Sequence, residues 1–219
     1  MPLPEFFGTS GMADLIEPNT RKQQYMVGVT LIAGGVGLAA TLRAHPGSIE
    51  FNLLGLVVAT IWCAGAIVVG PPRLWNSPPL IGRTIAVALA VGAGAFLFFL
   101  AADLIGQHLP LIAPALHSIL AKADAGSKVT ILGVALFNGV GEEVFFRGVL
   151  YDALPRRRIV LSTAIYVVVT AATGNVALVL AALLMGIIFS YERRSTGGFL
   201  APVLTHLTWS TLMILCLPR

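Results

Sequence analysis

Seven apolar runs, most of them near the roughly 20 residues a helix needs to cross a bilayer, dominate this 219-residue chain. They extend from Gln24 to Leu42, Phe51 to Gly70, Ile81 to Gly106, Val129 to Val149, Ile159 to Ala172, Val176 to Ser190 and Phe199 to Leu217. In lipid each segment must satisfy its own backbone hydrogen bonds, which leaves helices or a closed barrel. Runs of this length and continuity read as helices rather than as alternating barrel strands. The expected fold is therefore all-α, a polytopic transmembrane helix bundle with about seven spans. The fifth and sixth runs are short and are divided by Thr173-Gly174-Asn175, a turn signal. The stretch HLPLIAPALHSILAKADAGSK from His108 holds two prolines and is amphipathic. It reads as an interfacial helix or re-entrant loop, an eighth segment.

Composition supports the same reading. The chain is 57% apolar and 11% charged, with a mean hydropathy of +0.87, whereas soluble domains are about one-quarter charged. A soluble enzyme and a disordered chain are excluded. The net charge of +4 gives a pI of 9.4, yet on so apolar a chain the excess belongs to loops beside the membrane rather than to a nucleic-acid surface. The bilayer is the expected partner, and nucleic acid is not. Cys63 and Cys216 both lie inside apolar runs, so no disulfide framework is expected. No short apolar run ending in a cleavage site precedes the first span, so no cleavable signal peptide is expected.

Orientation follows from lysine and arginine. With the N-terminus inside, nine basic residues fall in cytoplasmic segments: Arg21, Lys22, Arg73, Arg83, Arg156, Arg157, Arg158, Arg193 and Arg194. Four fall outside: Arg43, Lys122, Lys128 and Arg219. The expected location is the cell's inner membrane, with a cytoplasmic N-terminus. Residues 1–24 read as a cytoplasmic segment, 25–124 as front transmembrane helices and 125–219 as a distinct transmembrane section. The prolines at 71, 72, 78 and 79 mark a short cytoplasmic loop.

Polar residues within spans are costly and are commonly functional. GEEVFFRG places Glu142, Glu143 and Arg147 in the fourth run. Glu143 and Arg147 are four apart, acid first, and so share a helix face as an ion pair. A structural role is the simpler reading for these two. Glu142 projects about 100° away and meets Phe146 at its own fourth position. An extra acid without a structural benefit is a candidate general base. In the last run, THLTWS sets His206 and Ser210 on one face, beside Thr205 and Trp209. At 1.5 Å per residue, Glu142 lies about 15–20 Å from the arginine-rich edge, His206 about 12 Å, Thr170 about 16 Å and Ser210 about 18 Å. One shared cavity opening toward that edge is expected. His45, His108 and His117 fall outside the spans, and Asp103 sits where outer water can reach it. The glycines of GGVG and GVGEE read as helix-packing positions, because no strand precedes them to form a nucleotide loop.

GEEVFFRG followed by a late intramembrane histidine resembles the CPBP family, which comprises CAAX prenyl endopeptidases and the bacteriocin-processing or immunity proteins also called Abi. The family pattern is EExxxR, then FxxxH, then HxxxN or HxxxD. Glu142, Glu143 and Arg147 match the first element, flanked by FFRG; Tyr166 and Thr170 stand at the second; His206 and Ser210 stand at the third. The resemblance covers about the last 95 residues. It implies an intramembrane endopeptidase acting on a membrane-anchored peptide or protein. Glu142 would activate water, and His206 would polarise the scissile carbonyl or hold a metal with Glu142. Glu143 would belong to the same catalytic group, with Arg147, Phe146, Thr170 and Ser210 in support. A divalent metal such as zinc is the implied cofactor. Two other classes remain open: a non-catalytic adapter or immunity-type member, and a small proton-coupled transporter. The lack of an inverted repeat weighs against the transporter. Substrate, cleavage site and oligomeric state are not readable from the sequence.

Overall fold

The computed structural model describes residues 20–70 and 81–217, all helices and short turns with no strand among them. Most of the expected N-terminal segment, the four loop prolines with Arg73, and Arg219 lie outside the described residues. The helices are α1 (Thr20–Arg43), α2 (Ile49–Val69), α3 (Ile81–Gly106) and α4 (Ala113–Asp124). They continue as α5 (Lys128–Ala153), α6 (Arg158–Ala171), α7 (Val176–Thr196) and α8 (Leu200–Cys216). Helices α1, α2, α3, α5 and α7 are long and apolar enough to cross a membrane, while α6 and α8 are apolar but shorter.

Local chemistry starts and stops these helices. The Ser48 hydroxyl accepts the Phe51 N–H at 3.0 Å and caps α2. The Asn175 side-chain Oδ1 does the same for Leu178 N–H at 3.1 Å on α7. Gly174 supplies the left-handed φ of 71° in the turn before it. Helix α4 is the amphipathic piece foreseen after His108. It lies at one end of the bundle, where the Lys122 ammonium donates to Ala44 C=O at 2.9 Å and the Asn175 amide donates to Ala115 C=O at 3.0 Å. Lys122 is thus buried rather than in an open outer segment. Asp103 is buried too and accepts from the Gln107 amide, away from the water expected around it.

Large apolar side chains face outward on the long helices, including Ile32 at 71% exposure and Val168, on the shorter α6, at 72%. Such a surface needs lipid. Helix α5 is central, packed by α2 on one side and α8 on the other, while α1 pairs with α2, α3 with α8, and α6 with α7. Glycine makes the close crossings possible. A Cβ on Gly34 would enter the Trp62 ring, and one on Gly141 would come within 2.9 Å of Ala59 C=O. The glycines in GGVG and GVGEE therefore serve packing.

Two boundaries differ from the sequence reading. Helix α7 runs on past Ser190 to Thr196, which draws Glu192 and Arg193 into the bundle. Arg193 was expected in a water-facing loop. Instead it is buried, donating to Arg147 C=O at 2.6 Å and to both Asp152 oxygens at 2.8 and 3.0 Å. Helix α5 also continues past Val149, with a π-helical stretch over Val144–Leu150. The wider turn re-aims the side chains that follow GEE, a distortion common at functional sites.

Candidate active site

The π-helical stretch sits against a dense aromatic group. Trp62 from α2 lies 5.2 Å from Phe145 and 5.1 Å from Phe146, ring to ring, and Phe146 lies 4.9 Å from Tyr166 of α6. Phe145, Phe146 and Trp62 are fully buried. This cluster fixes the roll of α5, and with it the directions of the two adjacent glutamates.

Glu143 faces α8. Its Oε1 accepts from Arg147 Nη1 at 3.0 Å and lies 3.1 Å from His206 Nδ1. Glu143 and Arg147 are fully buried. The guanidinium is further held over the Tyr166 ring at 4.6 Å and the Phe189 ring at 5.0 Å. The His206 ring stacks on Phe189 at 4.9 Å and leans against Gly139, where an added Cβ would lie 3.4 Å from its Cδ2. With Nδ1–H donated to Glu143, the ring's tautomer and orientation are set, as in other carboxylate–histidine pairs. The agreement in depth between the two helices is realised, but through Glu143, whereas His206 was expected to work with Glu142.

Glu142 points elsewhere. It is half-buried, and its Oε2 accepts the Tyr166 hydroxyl at 2.7 Å. The sequence left Glu142 without a partner because only its own helix could be searched; the partner comes from α6. Glu142 also lines a cavity of about 230 Å³ whose walls come from α1, α2, α4, α5, α7 and α8. Asn138, one turn earlier on α5, lines the same cavity. Its amide nitrogen donates to Gly55 C=O at 2.9 Å and Val134 C=O at 3.0 Å, which leaves its buried Oδ1 without a partner.

The expected convergence of Glu142, Thr170, His206 and Ser210 on one cavity is not what the structure shows. Thr170, His206 and Ser210 do not line this cavity, and the cavity lies toward the α4 end rather than the arginine-rich end. Thr170 is buried with its hydroxyl donating to Tyr166 C=O at 2.9 Å along its own helix. Depth arithmetic measures height along a helix and not the side from which a residue projects.

Sequence reasoning also missed Glu192. It is buried on α7, with Oε1 2.6 Å from the Thr205 hydroxyl. The tetrad YERR resembles a helix end entering water, so only the helix boundary could have revealed it. Tyr166 was read as a stand-in for phenylalanine. Its position one turn before Thr170, within an apolar run, was the available signal.

The donor set does not fit a zinc centre. Zinc takes three protein ligands and an open position. Among the described residues no three His, Cys, Asp or Glu side chains come together to hold a metal ion. His206 Nδ1 and Glu143 engage each other, and Thr170 Oγ1 serves its own helix. Cys63 and Cys216 are free thiols.

Residues 125–212 match the model of a family described as type II CAAX prenyl endopeptidase Rce1-like. The chain is also similar to an uncharacterized 24.3 kDa protein of Escherichia coli, 28% identical over 155 residues that cover 65% of this chain and 71% of that protein. No solved structure matches.

Proposed function

We propose, from the match of residues 125–212 to the Rce1-like family model, that this multi-pass membrane protein is an intramembrane endopeptidase with Glu142 as its general base. The observation that carries this reading is the separation of the two glutamates. Glu143 is fully buried with Oε1 shared between Arg147 and His206, whereas Glu142 is half-buried, is held only by the Tyr166 hydroxyl and lines a cavity.

In the proposed reaction, water in the cavity gives a proton to Glu142 and its oxygen bonds to the scissile carbonyl carbon. Proton uptake weakens the Tyr166–Glu142 hydrogen bond, and the released hydroxyl turns toward the developing oxyanion. Glu142 then returns its proton to the departing nitrogen as the C–N bond breaks. His206, Glu143 and Arg147 act as positioning residues that hold α5 against α8. The family resemblance gives His206 the carbonyl-polarising role; its engagement with Glu143 favours the supporting one. No metal enters these steps.

A membrane-anchored peptide or protein is the proposed substrate, and the inner membrane with a cytoplasmic N-terminus is the proposed setting. The test is cleavage of a membrane-anchored peptide by purified protein in lipid. Glu142→Gln keeps the acceptor for Tyr166 and removes the base, so it loses cleavage by about 100-fold or more with thermal unfolding unchanged. A Glu142→Gln enzyme of undiminished rate refutes the assignment.

One observation favours a second reading, a non-catalytic adapter of the same family. Thr170 occupies the position of the family's second-element histidine and turns its hydroxyl onto its own helix. An adapter retains its cellular function in Glu142→Gln. A peptidase loses it.

A further inference from the structure

At the end of the bundle opposite the Glu142 cavity, a groove of about 690 Å³ opens between the α5–α6 turn and the end of α7. Its walls carry five arginines (Arg156, Arg157, Arg158, Arg193 and Arg194) and one acid, Asp152, a net charge of +4 by subtraction. That equals the formal net charge of the whole chain. Asp152 is already engaged by Arg193 at 2.8 Å, with Arg158 4.0 Å away. Arg156, Arg157 and Arg194 are exposed and have no acid partner among the described residues. Three unneutralised guanidiniums converging on one concavity oppose one another, and an anion relieves that repulsion.

The first residues of α6 add direction. Arg158, Ile159 and Val160 line the groove, so the start of a 14-residue helix, with its free N–H groups, opens into it. Arg157 holds this corner in the left-handed region at φ 52°, the one non-glycine residue with positive φ among the described residues. From the rim, exposed apolar side chains continue down the same two helices: Val160, Leu161 and Val168 on α6, and Ile187 and Leu183 on α7. Tyr191, exposed near the end of α7, sits at the level where aromatic residues border headgroups. A cationic pocket joined to an apolar track complements a phospholipid with an anionic headgroup.

We propose that this groove is a binding site for the headgroup phosphate of an anionic phospholipid, whose acyl chains lie along the exposed faces of α6 and α7. Arginine's planar donors suit phosphate oxygens. Because Arg193 also bonds Arg147 C=O at 2.6 Å, an occupied groove bears on the π-helical stretch of α5. The proposal is independent of whether the Glu142 site is catalytic.

The test uses the full chain in nanodiscs of phosphatidylcholine with increasing phosphatidylglycerol, and reads lipid retained after mild detergent extraction by native mass spectrometry. Wild type retains phosphatidylglycerol in preference to phosphatidylcholine, and millimolar inorganic phosphate does not displace it. The triple variant Arg156→Ala, Arg157→Asn, Arg194→Ala touches no paired residue and keeps a left-handed-tolerant side chain at 157. It weakens retention about fivefold per arginine, on the order of 100-fold in all. A second triple variant, Arg21→Ala, Lys22→Ala, Arg83→Ala, removes equal charge from exposed positions outside the groove and retains lipid as wild type does. Equal loss in both variants would show surface charge alone at work and overturn the site. Displacement by inorganic phosphate would make the ligand a free anion and overturn the lipid assignment.

Discussion

Arg147→Met isolates the energetics of the buried pair. At 3.0 Å and an effective dielectric near 20, the direct attraction between Arg147 and Glu143 is about 5.5 kcal/mol before desolvation is subtracted. The substitution keeps the volume but leaves Glu143 with His206 Nδ1 as its remaining partner. It also strips a cation from the Tyr166 and Phe189 rings. Orphaning one member of a buried pair costs about 3–5 kcal/mol. Glu143→Gln costs a similar amount, because the guanidinium is then the orphan. The double variant leaves no unpaired charge, so it is less destabilised than the sum of the singles by about 2 kcal/mol or more. Denaturant or SDS titration in detergent, followed by tryptophan fluorescence, measures all three; Trp62 lies within the adjoining aromatic cluster. Additive single effects would refute the view that Glu143 and Arg147 are one unit. Equal destabilisation by Glu142→Gln would refute the division of labour between the glutamates.

Tyr166→Phe removes the hydroxyl at 2.7 Å from Glu142 and lowers the cleavage rate at least about tenfold, for the loss of one charge-assisted hydrogen bond, with unfolding temperature within a few degrees of wild type. Gly34→Ala places a methyl in the Trp62 ring and costs about 1–3 kcal/mol in the same titration. Gly94→Ala, with open space around its Cβ, is neutral or mildly stabilising through helix propensity. Tags at the N-terminus and after Arg158 report cytoplasmic and a tag at Ala125 reports outside; the reverse pattern contradicts the charge-bias orientation.

The long helices were legible because lipid exposure leaves an unbroken apolar record. Residues with 71% exposure, such as Ile32, and fully buried ones, such as Trp62, are equally hydrophobic. The same property hides which face of each helix turns inward. Glu143 with Arg147 was legible because both sit on one helix and spacing alone brings them together. The bond from Tyr166 to Glu142 was not, since it depends on how α6 rolls against α5. The π-helical stretch in VFFRGVL carries no proline or other local marker, so the shift it imposes is a product of packing. Glu192 and Arg193 read as a solvated helix end because their partners, Thr205 and Asp152, lie 13 and 41 residues away.

In the proposed reaction, water on Glu142 hydrolyses a peptide bond within the bilayer. Its most direct measurement is cleavage of a membrane-anchored peptide in ¹⁸O-labelled water, with the products weighed by mass spectrometry. General-base catalysis by Glu142 places one ¹⁸O in the new carboxyl terminus with wild-type protein and yields no labelled product with Glu142→Gln. Labelled product from Glu142→Gln at the wild-type rate would contradict it.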